Sequence, residues 1–173
     1  GLIEDTSIDD YRIYLHVANV PVVSVNADTP YQDFASLLEA MKDGSVTVGT
    51  AGGNSSGGMA LAAIRQAAES DLPGARMITY DGGNPAVIAA ASGEVDATTQ
   101  LAVEQTEMIR AGRLRALTVL SDQPLEVEGI DRVPPITEFI PDFEVAADYF
   151  GVFIPQGAPQ EVYDTVDQVW RDH

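Results

Sequence analysis

The sequence predicts an α/β fold with a central, mostly parallel sheet flanked by helices. Two observations lead to this prediction. Short apolar segments rich in β-branched residues alternate with segments whose apolar residues recur at helical spacing, a pattern typical of βαβ units. Two of the apolar segments run into loops of small residues, which connect the carboxyl ends of strands to helices. Because ligands of open α/β sheets bind at that edge, the sequence also predicts a binding site there.

The first predicted strand covers residues 20–26, a mostly apolar run in which four of the seven residues are the β-branched Val. The next helix is expected to begin with Thr29 as its N-cap and Pro30 in its first helical position. Gln32 would complete a capping box, and Gly44 would end the helix.

The following elements alternate regularly and are separated by short loops. Further strands are predicted at 46–50, 76–80, 95–99, 114–120 and 149–155, and further helices at 58–68, 85–91, 102–110 and 160–171. Asn84 is the expected cap of the helix at 85–91, whereas Gly93 and Gly112 follow two helix ends. Residues 121–143 contain several prolines and predict a surface connection with a short helical segment at 136–139.

The charge and composition exclude several classes of function. The formal net charge is −18, with 27 acidic against 9 basic residues, so we expect no nucleic acid partner and no affinity for anionic membranes. The chain has no Cys, which excludes disulfides and thiol catalysis. Its two histidines, His16 and His173, are too far apart to indicate a zinc site, and no cofactor is expected.

The first Gly-rich loop is the most informative segment. It follows the strand at 46–50 and consists of Gly52, Gly53, Asn54, Ser55 and Ser56. A loop of this kind presents N–H groups and hydroxyls at a helix N-terminus, which favours an anion without any Lys or Arg. The simpler interpretation, an N-cap with glycines that permit a tight turn, stays open.

A second loop follows the strand at 76–80. Asp81, Gly82 and Gly83 lead there into Asn84 and Pro85, at the start of the next helix. Two such loops in one α/β unit predict a site for a carboxylate or a phosphate. The second loop is also compatible with a plain β-turn before the helix.

Seven motifs in order then resemble one family. They include Val-Gly-Thr-Ala-Gly-Gly-Asn-Ser-Ser-Gly at 48–57, Tyr-Asp-Gly-Gly-Asn-Pro-Ala at 80–86, and Tyr-Phe-Gly-Val-Phe-Ile-Pro-Gln-Gly-Ala-Pro at 149–159. The chain resembles the substrate-binding receptors of tripartite tricarboxylate transporters, the Bug-type periplasmic proteins, from about residue 8 to residue 170.

The resemblance implies a type II periplasmic-binding-protein-like lobe. Residues 1–19 would be a remnant of the first lobe or a linker, and residues 20–155 would form the second lobe. That lobe would include hinge strands at 20–26 and 149–155, and residues 156–173 would form a helix that returns toward the missing first lobe. The implied function is periplasmic capture of a small organic carboxylate for the membrane subunits of a transporter, with no catalytic residue.

The resemblance also implies ligand-binding residues. Those that match the family's binding segments are Gly52, Gly53, Asn54, Ser55, Ser56, Tyr80, Gly82, Gly83, Pro85, Asp96 and Tyr149. Thr99 and Gln100 are added because they end a predicted strand. Asp96 also suits a role in orienting water, and both tyrosines also suit core or rim positions.

The chain departs from the family pattern at two places. Asp81 stands where the family usually has Lys, and Gly58 and Met59 stand where a His is common. Both departures remove positive charge, so the ligand class stays open between di- or tricarboxylates and aromatic acids.

Two other functions have to be considered. Gly53 to Gly57 fits the Gly-x-Ser-x-Gly pattern of a serine hydrolase, with Ser55 as nucleophile. That fold needs a downstream His, and His173 is the only one. A ligand-sensing module of the same fold without a transporter is the second alternative, which the sequence leaves open.

Overall fold

The structure, a computed structural model, describes residues 6–43, 46–68, 72–145 and 148–172. The chain divides into two compact units. The larger unit is Asn19–Asp148, and the smaller unit combines Gly1–Ala18 with Tyr149–His173. The predicted second lobe begins almost where the larger unit begins, whereas the strand predicted at 149–155 is grouped with the smaller unit. The assignment to lobes stays a prediction.

The described elements largely follow the predicted order. The strands are β1 (Tyr11–Asn19), β2 (Pro21–Asn26), β3 (Val46–Thr50), β4 (Ala75–Thr79), β5 (Ala97–Leu101), β6 (Leu114–Val119) and β7 (Asp148–Pro155). The helices are α1 (Phe34–Asp43), α2 (Ser56–Ala67), α3 (Gly83–Ser92), α4 (Ala102–Arg110) and α5 (Gln160–Asp172). Short 3-10 helices cover Ile8–Asp10 and Ile136–Glu138. No helix among the described residues is long and apolar enough to cross a membrane.

The larger unit contains a five-stranded mixed sheet in the order β4-β3-β5-β2-β6. β3 pairs in parallel with β4 and β5, whereas β2 runs antiparallel to β5 and β6. Four of these five strands therefore run in one direction, although only two of the four strand pairings are parallel. The predicted α/β fold is confirmed, with a mixed sheet. The carboxyl ends of β3, β4 and β5 lie at one edge, which is called the carboxyl edge below.

Helices cover both faces of this sheet. Val46 and Val48 pack in one core cluster with residues of α1 and α2, such as Phe34 and Leu61. Gly49 faces the opposite side of the sheet, which α3 covers. A Cβ atom added to Gly49 would lie 3.3 Å from the Ala86 carbonyl oxygen in α3 and 3.2 Å from the Val95 side chain. Strand β2 is buried along its whole length, including its polar residues Ser24 and Asn26, because it is paired on both sides within the sheet.

The start of α1 differs from the prediction. The Thr29 hydroxyl donates to the Asn26 carbonyl oxygen (2.7 Å), so Thr29 closes a turn instead of capping the helix. The carboxylate of Asp33 accepts from the Ser36 N–H (2.8 Å) and takes the capping role just before Phe34. The predicted end at Gly44 lies outside the described residues.

Three boundaries in the centre of the chain also differ. Helix α2 begins at Ser56, two residues before its predicted start, because Ser55 caps it. Helix α3 begins at Gly83, so Gly82 and not Asn84 is its N-cap, while Gly93 ends it as predicted with φ of 80°. Strand β5 begins two residues later than predicted, at Ala97.

The smaller unit contains a strand that the sequence analysis missed. β1 lies within the segment predicted as a linker and forms a two-stranded sheet with β7. Its partner is more than 120 residues away in the sequence, so no local hairpin signal marks it. Tyr14, Ile154 and Tyr163 form the buried core of this unit.

Asp167 links α5 to β1 within the smaller unit. Its carboxylate accepts from the Tyr14 hydroxyl and from Arg12 (2.7 Å). The hydrogen bond from Tyr14, aided by the charges of Arg12 and Arg171, holds the pKa of Asp167 below its ordinary value of 3.8, against the effect of desolvation.

This network predicts acid sensitivity in the smaller unit. A depressed folded-state pKa stabilises the fold above about pH 3.8, and that contribution is lost as the pH falls further. Asp167→Asn should therefore lower the free energy of unfolding at neutral pH, and this free energy should decrease less steeply below pH 3.8 than in the unmodified protein. Fluorescence of Trp170, the only Trp in the sequence, follows unfolding of the smaller unit, because its ring centroid lies 5.4 Å from that of Tyr14. Asp172→Asn is the control, and an identical acid transition in both variants would contradict the assignment.

Candidate functional site

The loop between β3 and α2 is ordered by Ser55. The Ser55 hydroxyl donates to the Gly52 carbonyl oxygen (2.7 Å) and accepts from the Gly58 N–H (3.1 Å). Gly52 has φ of 104°, which a glycine adopts without strain. Ser55 therefore acts as the N-cap of α2, the simpler of its two interpretations, and its hydroxyl hydrogen is already used within the loop.

Helix α2 packs very closely on β5 at its first turn. A Cβ atom added to Gly57 would overlap the carbonyl oxygen of Thr99 and lie 2.9 Å from its carbonyl carbon. The Thr99 hydroxyl donates to the Gly57 carbonyl oxygen (2.7 Å). Thr99 is fully buried by this contact, so it fixes the helix to the sheet and is not exposed to a ligand.

The second loop lies beside the first at the carboxyl edge. The Tyr80 N–H donates to the Thr50 carbonyl oxygen (2.8 Å), and the Cβ position of Gly52 is 3.5 Å from the Thr79 methyl group. Gly82, with φ of 111°, turns the chain into α3, and Gly83 and Pro85 follow in its first turn. The structure thus brings both predicted loops together.

Gln100 and Glu104 join these loops. With its amide oxygen toward the Ala51 N–H (2.9 Å), the Gln100 amide nitrogen donates to Glu104 Oε2 (3.3 Å). Glu104 Oε2 also accepts from the Leu101 N–H (3.2 Å), and a Cβ atom at Gly83 would overlap the Glu104 carboxylate. Glu104 was missed by sequence reasoning, although its position three residues after Leu101 is that of a capping box partner.

Ser56 lines a cavity of about 180 Å³ in the larger unit, which is called the Ser56 cavity below. Its apolar walls come from α2, from the ends of β2 and β6, and from the segment before β7: Pro21, Met59, Ala60, Ala63, Leu120 and Phe143. Glu144 and Asp148 also line the Ser56 cavity. The Ser56 hydroxyl makes no hydrogen bond with any residue that the structure describes.

Asp96 lies at the opposite end of the sheet. Its carboxylate accepts from the Thr47 N–H (2.7 Å) and the Thr47 hydroxyl (2.6 Å). Because Thr47 and Asp96 stand at the amino ends of the parallel strands β3 and β5, Asp96 fastens these strands together there. The structure does not bring Asp96 to the carboxyl edge with the Gly-rich loops.

The two tyrosines are placed differently. The Tyr80 hydroxyl donates to Glu94 (2.9 Å), and its ring packs against the core cluster of α3. Desolvation, aided by this hydrogen bond, raises the pKa of Tyr80 above its ordinary value of 10.0. Tyr80 therefore contributes its backbone to the carboxyl edge and its ring to the core. Tyr149 belongs to the smaller unit, where it is 59% exposed.

This arrangement suits binding and not nucleophilic attack. The Ser55 hydroxyl donates a hydrogen bond to the Gly52 carbonyl oxygen, and the larger unit contains no His in its sequence that could act as a general base. Within the described residues, no group of three acidic or His side chains could hold a metal ion. The available chemistry consists of backbone N–H groups, the Ser56 hydroxyl and an apolar cavity.

Comparison with known proteins identifies a matching protein family and individual relatives. The chain matches the model of the tripartite tricarboxylate transporter family receptor over residues 3–172. It is 32% identical over 164 residues to the UPF0065 protein in the tcbD-tcbE intergenic region of a Pseudomonas species, covering 91% of this chain and 47% of that protein. The chain thus spans about half the length of this relative.

Solved structures share the fold. MatC from Rhodopseudomonas palustris with bound malate is 19% identical, with a TM-score of 0.78, over 94% of this chain and 54% of that one. A second R. palustris protein, solved with adipate, is 22% identical, with a TM-score of 0.77, over 93% and 53% of the two chains. The expected periplasmic-binding-protein-like lobe is confirmed. The chain belongs to the tripartite tricarboxylate transporter receptor family, a family of solute-binding proteins and not of enzymes.

Proposed function

We propose that this chain is the carboxylate-binding second lobe of a periplasmic receptor that delivers its ligand to the membrane subunits of a transporter. The observation that carries the proposal is the N-terminus of α2 at the carboxyl edge. Gly53 and Asn54 are exposed there, and their N–H groups donate to no other described residue. Together with the Ser56 hydroxyl they supply donors for one carboxylate, and the helix dipole adds partial positive charge.

The relatives support the class of ligand. Two proteins of the same fold were solved with malate and with adipate, which are both small carboxylates. Gly82 and Gly83 extend the surface at the carboxyl edge, and Gln100 holds the loops in place through Ala51 and Glu104. Asp96 is left out of the proposed site because it stands at the other end of the sheet.

The mechanism that we propose is capture by closure of two lobes. A ligand shifts an open–closed equilibrium only if it contacts both lobes in the closed state. The other lobe would supply the remaining contacts, with hinges near 20–26 and 149–155. The predicted role of Tyr149 in ligand binding stays a prediction. The chain alone is therefore expected to bind more weakly than the full-length protein that carries it.

Separate replacement of the two serines tests the site. In the full-length protein, Ser56→Ala should weaken carboxylate binding by about fivefold, ~1 kcal/mol, because one hydrogen bond to the ligand is lost. Ser55→Ala should instead lower the free energy of unfolding by about 1 kcal/mol, because α2 loses its N-cap. Calorimetric titration with malate, adipate, hexanoate and benzoate measures affinity, and urea unfolding measures stability.

Two results would contradict the proposal. In the first, none of the four carboxylates binds the folded full-length protein. In the second, a carboxylate binds but Ser56→Ala leaves its affinity unchanged, which would move the site away from the N-terminus of α2.

A further inference from the structure

The Ser56 cavity adds an apolar compartment to the proposed carboxylate site. Ser56 stands at the first position of α2, two residues after Asn54, and it lines the cavity. The cavity therefore begins at the end of the loop that holds the donors of Gly53 and Asn54. Pro21 is the first residue of β2, and Leu120 directly follows β6. Because β2 runs antiparallel to its neighbours, its amino end and the carboxyl end of β6 both lie at the carboxyl edge, and so does the cavity. A ligand whose carboxylate is bound by the loop could therefore extend its body into this cavity.

The size and lining of the cavity suit a compact hydrocarbon group. Its volume is about 180 Å³. An apolar protein cavity of roughly 150 Å³ is large enough to hold a benzene molecule. Six apolar residues form the walls, and burial of a ligand's hydrocarbon surface against them is favourable. Met59, which is 52% exposed, supplies an adaptable side chain at the rim.

The charges around the cavity oppose a second carboxylate. Glu144 and Asp148 both line it, and none of its described lining residues is Lys, Arg or His. A second ligand carboxylate placed there would be close to two like charges with no cation to compensate. The net charge of −18 adds repulsion in the same direction.

Resting on the proposed function, we infer that the ligand is a monocarboxylate with an aliphatic or aromatic body. The loop at the N-terminus of α2 binds the carboxylate, and the Ser56 cavity binds the body. Glu144 and Asp148 determine specificity because they exclude di- and tricarboxylates of similar size.

Hexanoate and adipate form a matched pair of probes, since they share a six-carbon chain and differ by one carboxylate. Calorimetric titration of the full-length protein should give a Kd for hexanoate at least tenfold lower than that for adipate. Ala63→Leu should weaken hexanoate binding at least tenfold, because Ala63 lines the cavity and is only partly exposed. Ala62→Leu, an exposed position on the same helix outside the cavity, is the control and should leave the Kd unchanged.

The acidic residues give a second, independent test. The double variant Glu144→Gln and Asp148→Asn keeps the side-chain volumes and should reduce the preference for hexanoate over adipate to less than threefold. Circular dichroism and thermal unfolding verify that each variant is folded.

The outcomes separate this inference from the proposed function. Adipate or malate binding as tightly as hexanoate would overturn the inference and leave the carboxylate site intact. Equal effects of Ala63→Leu and Ala62→Leu, or an unchanged ligand preference in the double variant, would also overturn it. No binding of any carboxylate would overturn the proposed function itself.

Discussion

Replacing Gly57 by Ala is expected to destabilise the larger unit by about 3 kcal/mol or more. The added Cβ atom would overlap the carbonyl oxygen of Thr99 and lie 3.0 Å from the Gln100 amide carbon. The Thr99 carbonyl oxygen is a backbone atom, and β5 is paired with a strand on each side, so this oxygen cannot rotate out of the way. Relief would require α2 to move off β5, with loss of the hydrogen bond from Thr99 to Gly57.

Urea unfolding followed by circular dichroism measures this effect. Gly53→Ala is a matched control in the same loop, because no atom lies within 4 Å of its Cβ position and its φ is not positive. We expect a much lower unfolding midpoint for Gly57→Ala and little change for Gly53→Ala. Similar midpoints for the two variants would mean that α2 does not pack on β5 as described.

Asp96→Ala is expected to lower the free energy of unfolding by about 2 kcal/mol, the typical loss for hydrogen bonds to a charged group. The substitution leaves the N–H and hydroxyl of Thr47 without their acceptor between β3 and β5. Carboxylate affinity of the molecules that remain folded should not change, because Asp96 lies at the opposite end of the sheet from the Gly-rich loops.

This pair of readouts separates the two roles considered for Asp96. The structural role predicts reduced stability with normal affinity, whereas the ligand role implied by the family resemblance predicts the reverse. Asp122→Ala is the control, since Asp122 is exposed and its carboxylate bonds to no described residue. Loss of affinity with unchanged unfolding would show that the site extends to the amino ends of the strands.

Local signals in the sequence were sufficient for much of the fold. The bounds predicted for β3 and α4 agree with the structure. The apolar run of β3 ends where small residues begin, and Gly112 marks the end of α4. The first Gly-rich loop was also recognisable, since its glycines and its capping Ser55 act within a few residues of each other. Helix ends and tight turns depend on such short-range hydrogen bonds.

The positions of Asp96, Thr99 and Gln100 illustrate the limit of this reasoning. A strand predicted at 95–99 would have placed Thr99 at its carboxyl end, but β5 begins at Ala97 and buries both Thr99 and Gln100. The starting point of β5 depends on its pairing with β3 and β2, which come from distant parts of the sequence.

The sequence by itself determined the family, the α/β fold and the loops at the carboxyl edge, because these follow from motifs and from the spacing of apolar residues. Only the tertiary structure decided that β1 pairs with β7, that Glu104 lies against α3, and that an apolar cavity adjoins Ser56. These three features arise from contacts between residues that are far apart in the chain. Strand register and side-chain packing determine such contacts, and a single sequence carries no local signal for either.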